Sequence, residues 1–266
     1  MSGREDGLLD RMAETEYFLF RDPEYTAKSE FGTFIGHPGF PSRYDCNQLF
    51  ECRCASGREG DFARELERLY EGRDIPFRKI SGHDPAALSV LQPFFSKSGW
   101  IFSKVRMMLW EAEPEIPENP EVKVKAVDPF SPDLEMLYTE KSQSKGGGGL
   151  DQGFAYHRSQ TGRTKVEWLV AYLAGSPAGN AGWFPTGGMA GFTWVGTRRE
   201  FRRRGVATSL VRQVQKRSGA APGALAILAN EEGGRLYGKL GFRDKGTLWE
   251  GLWLGPGAEQ PYCPLT

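Results

Sequence analysis

The sequence predicts an α/β (α+β) fold in two domains, on three observations. Stretches of helical period alternate with stretches of strand period along most of the chain, the pattern of helices laid on a sheet. A run of prolines and glutamates over 111–121 interrupts that alternation near the middle. The order of elements begins afresh beyond it. We therefore expect a smaller N-terminal α/β domain over 1–112, an extended, solvated linker over 113–121 and a second domain over 122–266.

In the first half, the aromatic cluster Tyr17, Phe18, Leu19 and Phe20 among many charges reads as a short strand or an N-terminal arm. Glycines and prolines over 32–41 read as loop. Cys46, Leu49, Phe50 and Cys52 make 45–53 a strand. Phe62, Leu66 and Leu69 recur at helical spacing over 61–70, with Asp61 at the end where an acid favours the helix dipole. A strand over 75–80 follows. Asp84 then caps a helix with Pro85 in its first turn and Leu88, Leu91 and Phe95 along one stripe. The apolar stretch 100–110 is a long strand.

The second half reads strand 122–127, helix 132–142, a break at glycines 146–149 and helix 150–159. Three strands come next, 166–173, 180–184 and 189–195, joined by turns. A basic loop opens the helix 206–217, followed by the short strand 224–228. Helix 232–240 ends at Gly241, and a pair of strands occupies 243–254.

With 34 basic and 34 acidic side chains, the formal net charge is zero, which removes any global electrostatic argument for nucleic acid or a membrane surface. The N-terminus lacks an apolar signal core and no apolar run is long enough to span a bilayer, so a cytoplasmic protein is the expectation. Cys46, Cys52, Cys54 and Cys263 do not have zinc-knuckle spacing, and the first three read as buried free thiols in a strand, with no metal. His37 lies in a Gly-Pro turn, and His83 and His157 read as surface or capping residues.

The stretch from Thr197 to Thr208 carries the chemistry. Its basic loop opens a helix at Gly205, Val206 and Ala207. The first turn of a helix leaves N–H groups unpaired, with the positive end of the dipole behind them, which suits a diphosphate. Small residues at 205 and 207 let oxygens approach, and Arg203 and Arg204 add charge-assisted contacts. Alone, such a turn more often is a solvated basic loop before an ordinary amphipathic helix.

It does not stand alone, because Asn230 and then Leu236, Tyr237, Lys239, Leu240, Gly241 and Phe242 follow one helix and one strand later. Together these motifs resemble the GNAT superfamily of acyl-coenzyme A-dependent N-acetyltransferases, over roughly 122–254. Arg202-x-x-Gly205-x-Ala207 is similar to that family's pyrophosphate loop, and the second set to its late helix-and-strand signature. The resemblance implies a mixed, mostly antiparallel central sheet flanked by helices, with acetyl-CoA or another acyl-CoA as co-substrate. It implies that the backbone of Val195, Gly196 and Thr197 pairs with the pantetheine arm. The N–H groups of Arg203, Arg204, Gly205, Val206, Ala207 and Thr208 would hold the diphosphate, and Asn230 would touch the arm. Tyr237 would protonate the departing thiolate.

Gly196, Thr197, Arg198 and Arg199 depart from the family's usual Val-x-Pro, and neither strand of the motif carries a carboxylate. Glu167, a water relay or an amine already deprotonated are the alternatives for the base, and none is assigned. Trp168, Trp183 and Trp194 read as an aromatic acceptor site or, for at least two of them, as core. The first half is similar to the late part of a GNAT domain, with the stretch 94–100 in place of the signature, which implies a degenerate second copy.

The function expected is transfer of an acetyl group to a primary amine, of a small molecule or a peptide, by direct attack in a ternary complex. The alternatives are a non-catalytic acyl-CoA-binding module, and transfer of a longer acyl group or to a hydroxyl. A homo-oligomer is compatible with the sequence.

Overall fold

The computed structural model describes residues 2–144, 150–160 and 162–255, so the glycines 146–149 and Cys263 lie outside the described residues. Two units divide the chain: Met1–Val105 with Gly246–Thr266, and Arg106–Lys245. The first unit holds α1 (Ser2–Phe18), β1 (Thr26–Ser29), β2 (Gly32–Gly36), β3 (Asn47–Phe50), α2 (Glu59–Tyr70), β4 (Arg78–Gly82) and α3 (Pro85–Ser96). The division then falls inside β5 (Ile101–Trp110). The second unit continues through β6 (Lys123–Val127), α4 (Pro132–Ser144), α5 (Leu150–Ser159), β7 (Glu167–Leu173) and β8 (Ser176–Pro185). After these come β9 (Ala190–Thr197), α6 (Val206–Arg217), β10 (Leu225–Ala229) and α7 (Glu231–Lys239). The later residues of β11 (Phe242–Trp253) belong to the first unit again.

Several expectations change. The N-terminal arm is a helix, whose Met12, Ala13 and Tyr17 are buried. The glycine-flanked stretch expected as loop is strand β2, and a side chain at Gly32 would collide with the Phe50 carbonyl. The expected C-terminal strand pair is the single strand β11. Residues 113–121 lie in the second unit, none of them buried, and Glu118 there pairs with Arg212 and Lys216 of α6.

Each unit has the same strand wiring. In the first, β2 and β3 are antiparallel, β3 and β4 parallel, and β4 and β11 antiparallel. In the second, β8 and β9 are antiparallel, β9 and β10 parallel, and β10 and β5 antiparallel. Each also carries a bulge. Gly182 faces Thr193 and Asn180 faces Gly196, so β9 has one residue too many, and Trp194 takes a φ of 52°. On β3, Thr33 faces Phe50 while the Arg53 N–H reaches the Phe31 carbonyl, and Glu51 has a φ of 56°.

Alternation along β7 shows why the second unit holds a helix on both faces of its sheet. Leu169 and Ala171 join the core with Val206, Leu210, Val211 and Val214 of α6, at helical spacing. Trp168 and Val170 point the other way, onto Leu134, Leu137, Tyr138 and Phe154 of α4 and α5.

In the first unit the core has a charged inset. Lys79 is 4% exposed at its side chain and lies 2.8 Å from Glu250 and 3.1 Å from Asp45. Glu16 faces the same group. Burial, then the charges of Asp45 and Glu250, push its carboxyl from 4.5 up to about 8, against the pull of Lys79. The folded state therefore keeps a proton that the unfolded chain releases. That contribution is fully present below about pH 4.5 and is lost as pH rises toward 8. Glu16→Gln is expected to flatten this slope and to stabilise the protein at pH 8 by on the order of 2 kcal/mol, since part of the residue reaches solvent. Denaturant melts of both proteins between pH 5 and 9 check it.

Candidate active site

The parallel pair β9 and β10 is joined only at its start, through Ala190 with Leu225 and Gly191 with Ala226. Beyond that the bulge at Trp194 carries β9 along β8, while β10 follows β5 from Leu109 to Arg106. Val195, Gly196 and Thr197 thus lie beyond the last pairing of β9 with β10, on the stretch expected to hold the pantetheine arm. All three are half-buried, and Thr197 Oγ1 is buried without a hydrogen-bond partner among the described residues.

A 3₁₀ turn, Arg199–Phe201, leads from β9 into the basic loop. Arg203 and Gly205 both adopt left-handed backbone, with φ of 61° and 80°, and Gly205 caps α6 without any side-chain hydrogen bond. The first turn of α6 holds no acid, so the positive end of its dipole is not neutralised. Arg202, Arg203 and Arg204 are exposed and make no ion pair among the described residues. Val206 and Thr208 are buried against the sheet and Ala207 is half-buried, so it is the backbone of this turn that is open to a ligand. An anionic group fits this loop.

The counterpart in the first unit does not offer that fit. There the N–H of Cys52 bonds the Ser81 carbonyl at 3.0 Å, holding β3 and β4 together one step further. Helix α2 has Glu59 and Asp61 in its first turn, and Arg58 at its cap is already paired with Glu30 and Asp61.

At the end of β10, Asn230 caps α7 by accepting the N–H of Gly233 through Oδ1 at 2.8 Å. Seven residues on, Tyr237 is 8% exposed, its ring 6.0 Å from that of Phe242. Its hydroxyl makes no hydrogen bond among the described residues, and burial holds its pKa well above the ordinary tyrosine value. Gly233 allows the ring to lie along the helix, because a Cβ there would stand 3.1 Å from both Tyr237 Cε2 and Asn230 Oδ1. Gly238 has no such reason: a Cβ there meets nothing within 4 Å. Gly238→Ala is expected to stabilise the protein by about 0.5–1 kcal/mol, read as a small rise in melting temperature.

The other candidates from the sequence are taken up in pairing or packing. Glu167 pairs with Arg217 in the last turn of α6 and sits across from Trp183 on β8. Trp168 is core, and Trp183 packs half-buried on the α6 side. Trp194 stacks on Tyr138 with centroids 4.2 Å apart. His157 is not at the surface as expected but is buried among Tyr138, Trp168 and Trp194. His83 lies 2.9 Å from Asp10. Cys46, Cys52 and Cys54 are buried free thiols; burial raises all three pKa values, that of Cys46 to about 12. No group of metal-ligating side chains occurs among the described residues, and no described helix is long and apolar enough to cross a membrane.

A family model described as an acetyltransferase (GNAT) domain matches residues 164–244. This stretch is a GNAT domain. It spans β7 to the start of β11 and includes the loop, Asn230 and Tyr237. Solved structures share the fold at low identity. A conserved protein of unknown function from Staphylococcus epidermidis is 16% identical, with a TM-score of 0.74 over 86% of this chain and 93% of that one. A GCN5-related N-acetyltransferase from Kribbella flavida is 14% identical, with a TM-score of 0.61 over 94% of this chain and 96% of that one. A GCN5-related N-acetyltransferase-like protein from Streptococcus suis is 15% identical, with a TM-score of 0.51 over 93% and 99%. No curated protein matches the chain.

Proposed function

We propose that this GNAT domain transfers an acetyl group from acetyl-CoA to a primary amine. The observation that carries the proposal is the continuity of the site. The stretch of β9 beyond its pairing with β10 runs into a left-handed, acid-free helix start beside three exposed arginines, with Tyr237, whose hydroxyl makes no hydrogen bond among the described residues, on the next helix.

In this reading Val195, Gly196 and Thr197 bind the pantetheine arm by backbone pairing, as an added strand would. The N–H groups from Arg203 to Thr208 bind the diphosphate, with Arg202, Arg203 and Arg204 adding charge-assisted contacts. Asn230 keeps its cap through Oδ1 and turns its Nδ2 donors to the arm. Acetyl-CoA, when bound, supplies an activated thioester. Tyr237 holds a proton beside the sulfur and gives it to the thiolate as the amine attacks. No carboxylate stands on β9 or β10 to take the proton of the amine, and Glu167 is held by Arg217, so the amine is read as arriving neutral or losing its proton to water.

The same lack of a carboxylate favours a second reading, an acyl-CoA-binding module without turnover. The test is thermal unfolding with and without acetyl-CoA, followed by a thiol-release assay over primary amines and alcohols, with acetyl-CoA and longer acyl-CoAs. A raised midpoint with release driven by an amine supports the enzyme. A raised midpoint with no acceptor at all supports the module, and an unchanged midpoint at saturating ligand defeats both.

The matching wiring and paired bulges of the two units support a further part of the reading, that the first unit is a degenerate GNAT copy. Its closed strand pair and acid-tipped helix make it a unit without acyl-CoA, so calorimetry on the whole chain should count one coenzyme A per protein.

A further inference from the structure

The acidic, proline-rich run 111–121 is fastened to the end of α7 and to α6, the two helices that carry the candidate site. At its start, the N–H groups of Glu111 and Ala112 bond the Gly241 carbonyl at 2.9 and 3.1 Å, and that of Glu115 bonds the Lys239 carbonyl at 2.9 Å. Further along, the Ile116 carbonyl accepts Arg212 Nη1 at 3.1 Å, and Glu118 accepts from Gln213 and Lys216. Burial opposes ionisation of Glu118, but those hydrogen bonds and the charges of Lys216 and Arg212 hold its carboxyl below the ordinary range. Such pairing ties this largely exposed strap to α6.

Asn119 comes next. Its Oδ1 accepts the Glu121 N–H at 3.0 Å and its own carbonyl accepts the Val122 N–H at 3.1 Å, which sets the turn. Its Nδ2 is then free to reach across to the basic loop, where it donates to the Arg204 carbonyl at 2.9 Å. The peptide joining Arg204 to Gly205 is trans, so its C=O and N–H point in opposite directions. Tying the carbonyl to the strap turns the Gly205 N–H away from the strap. Arg203 and Gly205 have positive φ while Arg204 between them does not, and alternation of hand between successive residues gathers N–H groups into an anion-binding concavity. The strap also excludes a side chain at 205, since a Cβ there would lie 2.8 Å from Asn119 Cβ.

We propose that Asn119 is a positioning residue for the diphosphate loop, holding the Arg204 carbonyl so that the Gly205 N–H faces the anion. This rests on the reading of that loop as the coenzyme A site. It assigns a binding role to a stretch that carries none of the loop's own sequence motif.

The test separates the two bonds of the side chain. Asn119→Asp keeps the acceptor for the Glu121 N–H and loses the donor to Arg204, whereas Asn119→Ala loses both. Calorimetry with coenzyme A is run on the wild type and both variants at 0.1 and 0.5 M salt, the higher salt screening the added charge of the aspartate. The wild type is expected to bind. Both variants should then bind about tenfold more weakly, with the loss persisting in Asn119→Asp at high salt. In the acyl-transfer assay the KM for acetyl-CoA should rise by about the same factor with kcat within twofold, because Tyr237 is untouched. A merely structural turn would leave Asn119→Asp at wild-type affinity in high salt, and that result overturns the proposal even if Asn119→Ala does not fold. A wild type that does not bind coenzyme A overturns the reading of the loop itself, and this proposal with it.

Discussion

Replacing Gly205 with glutamate is expected to abolish the stabilisation of the protein by acetyl-CoA and to lower kcat/KM by about 100-fold or more. Three causes act together. The φ of 80° places any L side chain in the left-handed region, which costs about 1–2 kcal/mol. A Cβ there also meets Asn119 Cβ at 2.8 Å, so either the strap or the loop must shift. The side chain would leave on the strap side, and its carboxylate would add a negative charge beside the loop that repels the diphosphate and competes with it for Arg202, Arg203 and Arg204. Hydrogen bonds to a charged group contribute about 1.5–3 kcal/mol each, so displacing even one of the loop's N–H groups together with the added repulsion reaches that factor. Gly205→Ala separates the causes: it carries the backbone strain and the clash without the charge, and should retain weaker binding. The check is the midpoint of each protein with and without saturating acetyl-CoA. A Gly205→Glu variant that folds and still shifts like the wild type would mean that the phosphates do not lie at this turn.

That loop was legible because its signal is local. Gly205 stands directly before Val206, Leu210, Val211 and Val214, and helix α6 begins and ends where this spacing says it should. The cap at Asp84, which accepts the Ala86 N–H at 2.8 Å, was legible for the same reason. What could not be read is carried by contacts distant in sequence. Helix α1 interleaves charges with few apolar residues, and it is the docking of Met12, Ala13 and Tyr17, the last through a hydroxyl 2.8 Å from Ser81 Oγ, that settles its state. Strand β2 is bracketed by Gly32 and Gly36, which locally punctuate a loop. In the fold they give room to the Phe50 carbonyl and the Phe34 ring. The bulge at Trp194 has no signature of its own: Asn180, fourteen residues earlier, donates to the Trp194 carbonyl at 2.9 Å. Asn119 is 85 residues from Arg204, and its segment drew notice only for its prolines and acids. The residues of the candidate site were therefore nameable from sequence, while the parts that hold them in place were not.

Tyr237 allows the chemistry to be separated from the scaffold. Tyr237→Phe removes one oxygen and keeps the ring, so its contacts with Gly233 and Phe242 survive. The hydroxyl makes no hydrogen bond among the described residues, and removing a hydroxyl that no protein group bonds leaves stability nearly unchanged. Binding of acetyl-CoA, which is read to depend on the β9 edge and the arginine loop, should also be unchanged. In the proposed mechanism only the proton for the thiolate is lost. General-acid catalysis contributes about 10²–10⁴-fold, and kcat is expected to fall within that range while the KM for acetyl-CoA holds. The pH profile gives a second reading of the same group. Burial holds the phenol above its ordinary pKa of about 10, so the wild-type enzyme keeps this proton throughout neutral and mildly alkaline solution. A fall in kcat below about pH 10 would therefore have to come from another group. Single-turnover kinetics of the two proteins between pH 6 and 10 make the comparison. A phenylalanine variant within threefold of wild type at every pH would reduce Tyr237 to the ring that packs α7 onto its sheet, and the thiolate would have to take its proton from water.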